Sequence, residues 1–146
     1  KYDHVSNERL VSGSGIEEIF NFICFKNGLE PSKLKAPEIG EKALSGELEA
    51  LESVKLLFNI LGTIISSVIL ITGAQGGVII SGGITPKLQK IIKQSNFKSN
   101  FLNKGRRHDY VKNVPIWLTE DNKNGLYGAL NAINNPHYID KLIVKR

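Results

Sequence analysis

The chain has 146 residues, enough for one domain, and 41% of them are apolar, which excludes general disorder. Its single cysteine, Cys24, excludes an intrachain disulfide and a two-cysteine metal site, and its apolar surroundings favour buried packing over a reactive thiol. The net charge of +5 would suit nucleic acid, but the lysines are spread out and the one tight cluster, Lys104–His108, lacks interleaved aromatics. We therefore expect no nucleic-acid partner.

Two helices are predicted in the first third of the chain. The run Ser14–Glu17 has the pattern of a capping box, and apolar residues at helical spacing follow it. We therefore predict a helix over 15–27 that ends at Gly28, because glycine is common just beyond helix ends. Pro37 suits the first turn of a second, shorter helix over 37–45, which Ser45-Gly46 would end.

A long apolar segment comes next. An apolar stripe predicts a helix over about 47–71, and the 31 residues from Leu56 to Pro86 carry no charge. Such a run raises the possibility of a membrane span. Polar and glycine residues interrupt it, however, and the glycines would break a single helix. We favour a buried helix, a glycine turn and a buried strand over 78–80, and expect no membrane partner.

The remaining elements complete a small α/β pattern. Thr85 is a suitable N-cap for a predicted helix over 86–95, a second strand is predicted over 114–118, and a last helix runs from about 125 to 134. Two strands separated by a helix predict a parallel βαβ unit. Because two strands make a small sheet, we expect the chain to be part of something larger or to pair with another copy.

The segment from Gly73 to Lys87 is the main candidate for a binding site. Glycines flank its predicted strand on both sides, and the pair Gly82-Gly83 lies at the carboxyl end, where ligands of open α/β sheets bind. The amino terminus of the following helix would favour phosphate, and glycine would let a ribose or base approach closely. A tight connection that needs glycine only for its turns stays an alternative.

A second candidate is the carboxylate of Glu8, which precedes a glycine-containing turn and a helix. Carboxylates readily accept hydrogen bonds from sugar hydroxyls. Taken alone, this pattern favours an ordinary ion pair with a cation such as Arg9 or Lys1. His4 has no partner at metal-ligand spacing, and we predict no metal site in the chain.

Together the two candidate segments resemble bacterial-type glucokinases. Residues 4–15 are similar to the family's HVS-x-ER-x-x-SGPG segment, with Ser14 in place of the proline, and residues 76–87 are similar to its GGV-x-I-x-GGI-x-P-[RK] segment. Further matches follow in the family's order: Phe97, Phe101, Lys104–Arg106, Tyr110-Val111, Val114–Ile116, Gly125-Leu126 and Gly128.

The resemblance implies an actin-like ATPase fold, of the ribonuclease H-like kind. The chain would be the helix-rich C-terminal portion of the large domain, with about two parallel strands and five to six helices. Residues 1–124 would belong to the large domain, and residues 125–146 would form a C-terminal helix that returns toward a small domain absent here. Since the chain starts at Lys1 and lacks methionine, we also expect a fragment or a processed product.

The resemblance further implies transfer of a phosphoryl group from ATP, with Mg²⁺, to glucose in a cytoplasmic homodimer. Glu8 aligns with a glutamate that hydrogen-bonds the sugar. The residues that would contact adenosine are Gly82, Gly83, Ile84, Pro86 and Lys87. The family's phosphate loops, Asn-Asp base and Glu-Gly-Gly-His segment do not occur in the chain, so it holds no catalytic residue and would be inactive alone. The alternative function is a non-catalytic oligomerisation or interaction module.

Overall fold

The computed structural model describes residues 3–120 and 123–136 as a helix-rich α/β structure. Its α-helices are α1 (Asn7–Leu10), α2 (Gly13–Lys26), α3 (Ala36–Ser45), α4 (Leu48–Thr72), α5 (Gln89–Ile92), α6 (Phe97–Leu102), α7 (His108–Val111) and α8 (Asn124–Asn134). Its strands are β1 (Val78–Ile80) and β2 (Ile116–Leu118), and a short 3₁₀ helix covers Gly105–Arg107.

Glycines end the first two long helices, as the sequence predicts. Gly28 has φ of +74°, and just after it the amide of Leu29 donates to the carbonyl of Cys24 at 2.9 Å. Gly46 has φ of +91° and ends α3 in the same way, with its amide bonded to the carbonyl of Ala43. Both glycines adopt a left-handed conformation that other residues rarely take. The predicted helices over 15–27 and 37–45 are therefore confirmed within two residues.

The centre of the structure is α4, which packs against α2, α3 and α6. Its 25 residues give it a length of about 37 Å at 1.5 Å per residue. Its amino-terminal half joins α2 and α3 in one core cluster, and its carboxyl-terminal half forms a second cluster with β1, α6 and α7. The predicted helix over 47–71 is thus confirmed, although Leu48 at its start is 59% exposed.

Small residues let neighbouring helices approach α4 closely. A Cβ atom placed on Gly62 would lie 2.5 Å from the carbonyl oxygen of Phe97 in α6. Ser53 and Ser66 are fully buried, and their hydroxyls donate to backbone carbonyls of α4 itself, at Glu49 and Gly62. Within the described residues, α4 is also the helix long and apolar enough to cross a membrane, with a mean hydropathy of 2.2. Its packing in two clusters buries 39% of the apolar window, while Ile71 near its end stays exposed.

Cys24 lies in the first core cluster, and the predicted buried packing is confirmed. Burial raises the pKa of its thiol above the usual range, and the negative charges of Glu49 and Glu47 act in the same direction. The thiol is therefore held in its protonated, unreactive form.

The two strands pair in parallel, as predicted, with Val78 opposite Ile116, Ile79 opposite Trp117 and Ile80 opposite Leu118. The second strand starts two residues later than its predicted range of 114–118. Pro115 has no amide hydrogen to donate, and only its carbonyl joins the ladder, accepting from Val78 at 2.9 Å. One face of the sheet packs on the second core cluster, while Ile79 and Trp117 stay exposed on the other.

The predicted helix over 86–95 is wrong in its extent. Residues 85–88 form a turn, α5 has only four residues, and residues 93–96 turn again. Instead of continuous α-helical bonding, the segment forms successive four-residue turns, in which the amide of Leu88 donates to the carbonyl of Thr85, that of Ile91 to Leu88 and that of Gln94 to Ile91. The polar segment 96–113, for which no helix is predicted, contains α6, the 3₁₀ helix and α7.

The last described helix, α8, contains no buried residue. Its large apolar side chains are between 52% and 70% exposed and recur at helical spacing: Leu126, Tyr127, Leu130 and Ile133. The part of the predicted 125–146 segment after Pro136 lies outside the described residues.

Candidate functional site

Glu8 lies in α1, a single helical turn, and its side chain is exposed. Ser6 caps this turn, because its hydroxyl accepts from the amide of Arg9 at 3.2 Å. Glu8 lines a cavity of about 280 Å³ together with Arg9, Ser14 and Glu18. The cavity is therefore built by α1 and the first turns of α2, and its lining is polar and charged.

The turn between α1 and α2 is tight. Ser12 is the N-cap of α2, and its hydroxyl accepts from the amide of Gly15 at 3.1 Å. A Cβ atom on Gly15 would lie only 2.4 Å from the carbonyl oxygen of Leu10, so only glycine lets the two helices meet here. The capping box predicted at Ser14 is thus wrong. Its second member, Glu17, instead accepts from the amide of Ala36 at 3.1 Å and fixes the start of α3.

Loss of the Ser12 cap should destabilise the protein. We expect Ser12→Ala to lower the free energy of unfolding by about 1 kcal/mol, because the amide of Gly15 would lose its acceptor. The measurement is urea denaturation of the full-length parent protein. Ser14→Ala is the matched control, since Ser14 is exposed and its hydroxyl bonds to that of Ser12 but caps no backbone amide of α2 in the described residues. Equal effects of the two substitutions would contradict the capping role of Ser12.

A second cavity, the α3 groove, lies between α3 and the segment that follows β1. Its volume is about 170 Å³. One wall is a face of α3, the other comes from residues 83–88, and Ile16 of α2 adds to the lining. The residues that line it are Ile16, Ala36, Pro37, Gly40, Glu41, Leu44, Gly83, Ile84, Lys87 and Leu88. The lining is mainly apolar and contains one carboxylate and one ammonium group among the described residues.

The structure brings three of the five predicted adenosine contacts together. Gly83, Ile84 and Lys87 line the α3 groove, whereas Gly82 and Pro86 adjoin them in the chain but are not part of its lining. Gly82 has φ of +124°, a conformation that favours glycine, and it turns the chain after β1. Glu8 lies in the other cavity, which shares no lining residue with the groove.

The sequence predicts a helix amino terminus just after Gly83 that could bind phosphate, but the structure has no helix start at that position. The four-residue α5 begins at Gln89, and Thr85 is not its N-cap. The amide of Leu88, which a longer helix would leave free, donates to the carbonyl oxygens of Ile84 and Thr85, both at 3.2 Å. The positive charge on this side of the groove comes from Lys87, whose side chain is exposed.

The wall formed by α3 is the part of the site that the sequence reasoning missed. Ala36, Gly40 and Leu44 recur every four residues and so share a helix face, as do Pro37 and Glu41 beside them. Gly40 also allows α3 to approach the opposite wall, because a Cβ atom there would lie 3.3 Å from Cδ2 of Leu88. The spacing of these residues is visible in the sequence, but the segment that forms the opposite wall starts 39 residues after Leu44.

The basic cluster is in part structural. The ammonium group of Lys104 donates to the hydroxyl of Ser67 at 2.8 Å and to the carbonyl of Thr63 at 3.1 Å, which ties this loop to α4. Residues 3–120 and 123–136 contain no group of three His, Cys, Asp or Glu side chains able to hold a metal ion.

Comparison with known proteins gives one consistent result. The family model described as Glucokinase matches residues 1–136. Curated relatives named glucokinase include those of Neisseria gonorrhoeae (strain ATCC 700825 / FA 1090), 39% identical, and Neisseria meningitidis (serogroup C, strain 053442), 38% identical, each over 136 residues. These matches cover 92% of this chain and 42% of each relative.

A solved structure agrees with these relatives. The crystal structure of a glucokinase from an Antarctic psychrotroph matches with a TM-score of 0.82 and 31% sequence identity. The match covers 92% of this chain and 42% of that one. The chain therefore spans somewhat less than half the length of the relatives it matches, in sequence and in structure.

Proposed function

The chain belongs to the glucokinase family, and on this premise we propose that it is the C-terminal part of an enzyme that phosphorylates glucose to glucose 6-phosphate with ATP. The observation that carries the proposal is the α3 groove, because Gly83, Ile84 and Lys87 line it at the place where the family resemblance assigns adenosine contacts. An apolar slot with few charged groups is typical of a site for the base of a nucleotide.

The residues of the groove divide the binding of ATP between them. The apolar side chains of Pro37, Leu44 and Ile84 would hold the base, and the absence of a side chain on Gly83 would let the ribose approach the backbone. Lys87, on the opposite wall from α3, would supply positive charge toward the phosphates. ATP supplies the phosphoryl group, and this chain holds the adenosine end of the donor.

On the sugar side, Glu8 would accept hydrogen bonds from glucose hydroxyls at the rim of its polar cavity. The proton of the attacking hydroxyl would pass to an aspartate base in the part of the parent protein that precedes this chain. Phosphoryl transfer depends on positioning and charge stabilisation, so the role of this chain is to position both substrates. Mg²⁺ would arrive bound to the phosphates of ATP, and we assign no step to it here.

The test of this function is glucose-dependent ADP production by the full-length parent protein. We expect turnover with glucose and ATP together and none when either is left out. A full-length protein that folds but shows no such turnover would overturn the proposal.

A methyl group on Gly83 should weaken nucleotide binding without loss of stability. Apart from its two chain neighbours, no heavy atom of the described residues lies within 4 Å of the Cβ position of Gly83, and its φ is not positive. Gly83→Ala should therefore change the free energy of unfolding by less than about 0.5 kcal/mol. We expect ADP to bind the full-length protein about tenfold more weakly, as measured by isothermal titration calorimetry. Gly125→Ala has equally open surroundings outside the groove and should leave ADP affinity unchanged. Equal ADP affinities for the two variants would exclude Gly83 as a nucleotide contact.

The exposed apolar face of α8 supports the proposed boundary near residue 124. Leu126, Leu130 and Ile133 are each more than half exposed, and such a face needs a partner. We propose that this helix returns to the small domain of the parent enzyme. Assembly as a homodimer, a cytoplasmic location and the lack of nucleic-acid and membrane partners stay predictions.

A non-catalytic interaction module is not favoured. The two-stranded sheet and the long apolar helix are the features that suggest such a module. The family match over residues 1–136 explains both, as parts of a larger domain. The chain spans about 42% of the length of its relatives, which accounts for a sheet of only two strands.

A further inference from the structure

Glu41 is the one acidic side chain that lines the α3 groove within the described part of the chain. It is exposed, and it shares the face of α3 that forms one wall. The rest of that wall is apolar or lacks a side chain: Ala36, Pro37, Gly40 and Leu44. A ligand bound in the groove would meet this single carboxylate beside an apolar wall, so a donor group on the ligand would complement it.

A carboxylate accepts hydrogen bonds and donates none. The phosphates of a nucleotide are themselves anionic acceptors and would be repelled by Glu41. The two neighbouring hydroxyls of the ribose are donors that lie next to the base, and acidic residues hold such hydroxyls in other nucleotide-binding folds. The ribose is therefore the part of a nucleotide that best complements Glu41.

The size of the groove and the placement of its charges agree with this assignment. A volume of about 170 Å³ is below the range of about 300–1,000 Å³ for sites that enclose a whole drug-sized ligand. The groove thus has room for the base, with the ribose and phosphates at its edge. Glu41 and Lys87 lie on opposite walls, which separates an acceptor suited to the ribose from a cation suited to phosphate.

We propose that Glu41 binds the ribose hydroxyls of the nucleotide and so makes the site selective for ribonucleotides. This inference rests on the proposed function, because it needs the groove to be the nucleotide site. It assigns to Glu41 a contact with the ribose that neither the glycine-rich segment 73–87 nor the segment around Glu8 indicates.

The test compares ADP with 2′,3′-dideoxy-ADP, which lacks both hydroxyls, by isothermal titration calorimetry of the full-length parent protein. The unaltered protein should bind ADP about 10- to 100-fold more tightly than the dideoxy analogue, the range expected for hydrogen bonds to a charged group. Glu41→Ala should bind both nucleotides alike, at the affinity that the unaltered protein has for the analogue. Glu41→Gln keeps an acceptor and should retain part of the preference.

Glu52→Ala is the matched control, because Glu52 is an exposed glutamate of α4 outside the groove. It should keep the full preference for ADP. An unchanged preference in Glu41→Ala would overturn the inference while leaving glucose-dependent turnover intact. A parent protein that neither binds ADP nor phosphorylates glucose would overturn the proposed function and the inference together, so the two failures are distinguishable.

Discussion

Replacement of Glu8 by glutamine in the full-length parent protein is expected to lower kcat/KM for glucose about 10- to 100-fold. A glutamine amide is similar in size but has no negative charge, and hydrogen bonds to a charged acceptor are worth about 1.5–3 kcal/mol. Glu8 is exposed on α1 and contributes nothing to either core cluster, so the fold should be unaffected. The loss should appear in steady-state kinetics with varied glucose and saturating ATP.

Two controls show whether this loss belongs to the sugar. Glu30→Gln removes the same charge from an exposed loop position away from the cavity and should leave the kinetics unchanged. In Glu8→Gln, the affinity for ADP should also be unchanged, because Glu8 is not part of the α3 groove. If the KM and kcat for glucose stay at their original values, the sugar-ligand role of Glu8 is wrong.

Gly62→Ala is expected to lower the free energy of unfolding by about 2 kcal/mol. The added Cβ atom would lie 2.5 Å from the carbonyl oxygen of Phe97 and 3.3 Å from the amide nitrogen of Phe101. These neighbours are backbone atoms of α6 and cannot swing away as the end of a flexible side chain could. The strain, typically about 1–3 kcal/mol, should exceed the gain of about 0.5–1 kcal/mol from replacing glycine in a helix.

Thr63→Ala is the matched control for this effect. It places the same residue at the next position of α4, where the side chain is exposed and only its hydroxyl bonds to the carbonyl of Asn59. Urea denaturation of the full-length protein should show a change of less than about 0.5 kcal/mol for this variant. A Gly62→Ala protein as stable as Thr63→Ala would mean that α6 can move away from α4 without cost.

Short-range sequence signals, such as glycine at helix ends and apolar periodicity, predicted several helices and strand β1. Helix α2 ends before Gly28 and α3 before Gly46 because glycine provides the left-handed turn, and both ends could be derived from the sequence. The apolar run of α4 and the short strand β1 were also evident from periodicity and glycine spacing. Two parallel strands in a helix-rich chain follow from that pattern, and the family match supports this fold class.

Tertiary contacts decided the elements that the sequence did not predict. The segment 86–95 has a good cap residue and a proline, yet it forms turns because Leu88 is buried beside Gly40 of α3. The cap of α2 moved from Ser14 to Ser12 because Glu17, the other half of the expected pair, bonds to the start of α3 instead. In both cases the competing partner lies many residues away in the sequence.

Some residues of the candidate site could be predicted from the sequence, and others could not. Gly83, Ile84 and Lys87 could be selected from the glycine-rich segment and the family resemblance, whereas Glu41 could not, because nothing near it in sequence suggests a ligand. Only the packing of α3 against the segment after β1 places it in the groove. The assignment of Glu8 and of the adenosine contacts stays a prediction until the substitutions above are measured.

The first turn of α2 belongs to both cavities. Ser14 lines the cavity of Glu8, and Ile16, two residues later, lines the α3 groove. The turn is held at one end by the close approach of Gly15 to Leu10 and at the other by Glu17, which binds the start of α3. We therefore expect a ligand that shifts this turn in one cavity to alter the affinity of the other. Such coupling is reciprocal, so glucose would change ADP binding by the same factor by which ADP changes glucose binding.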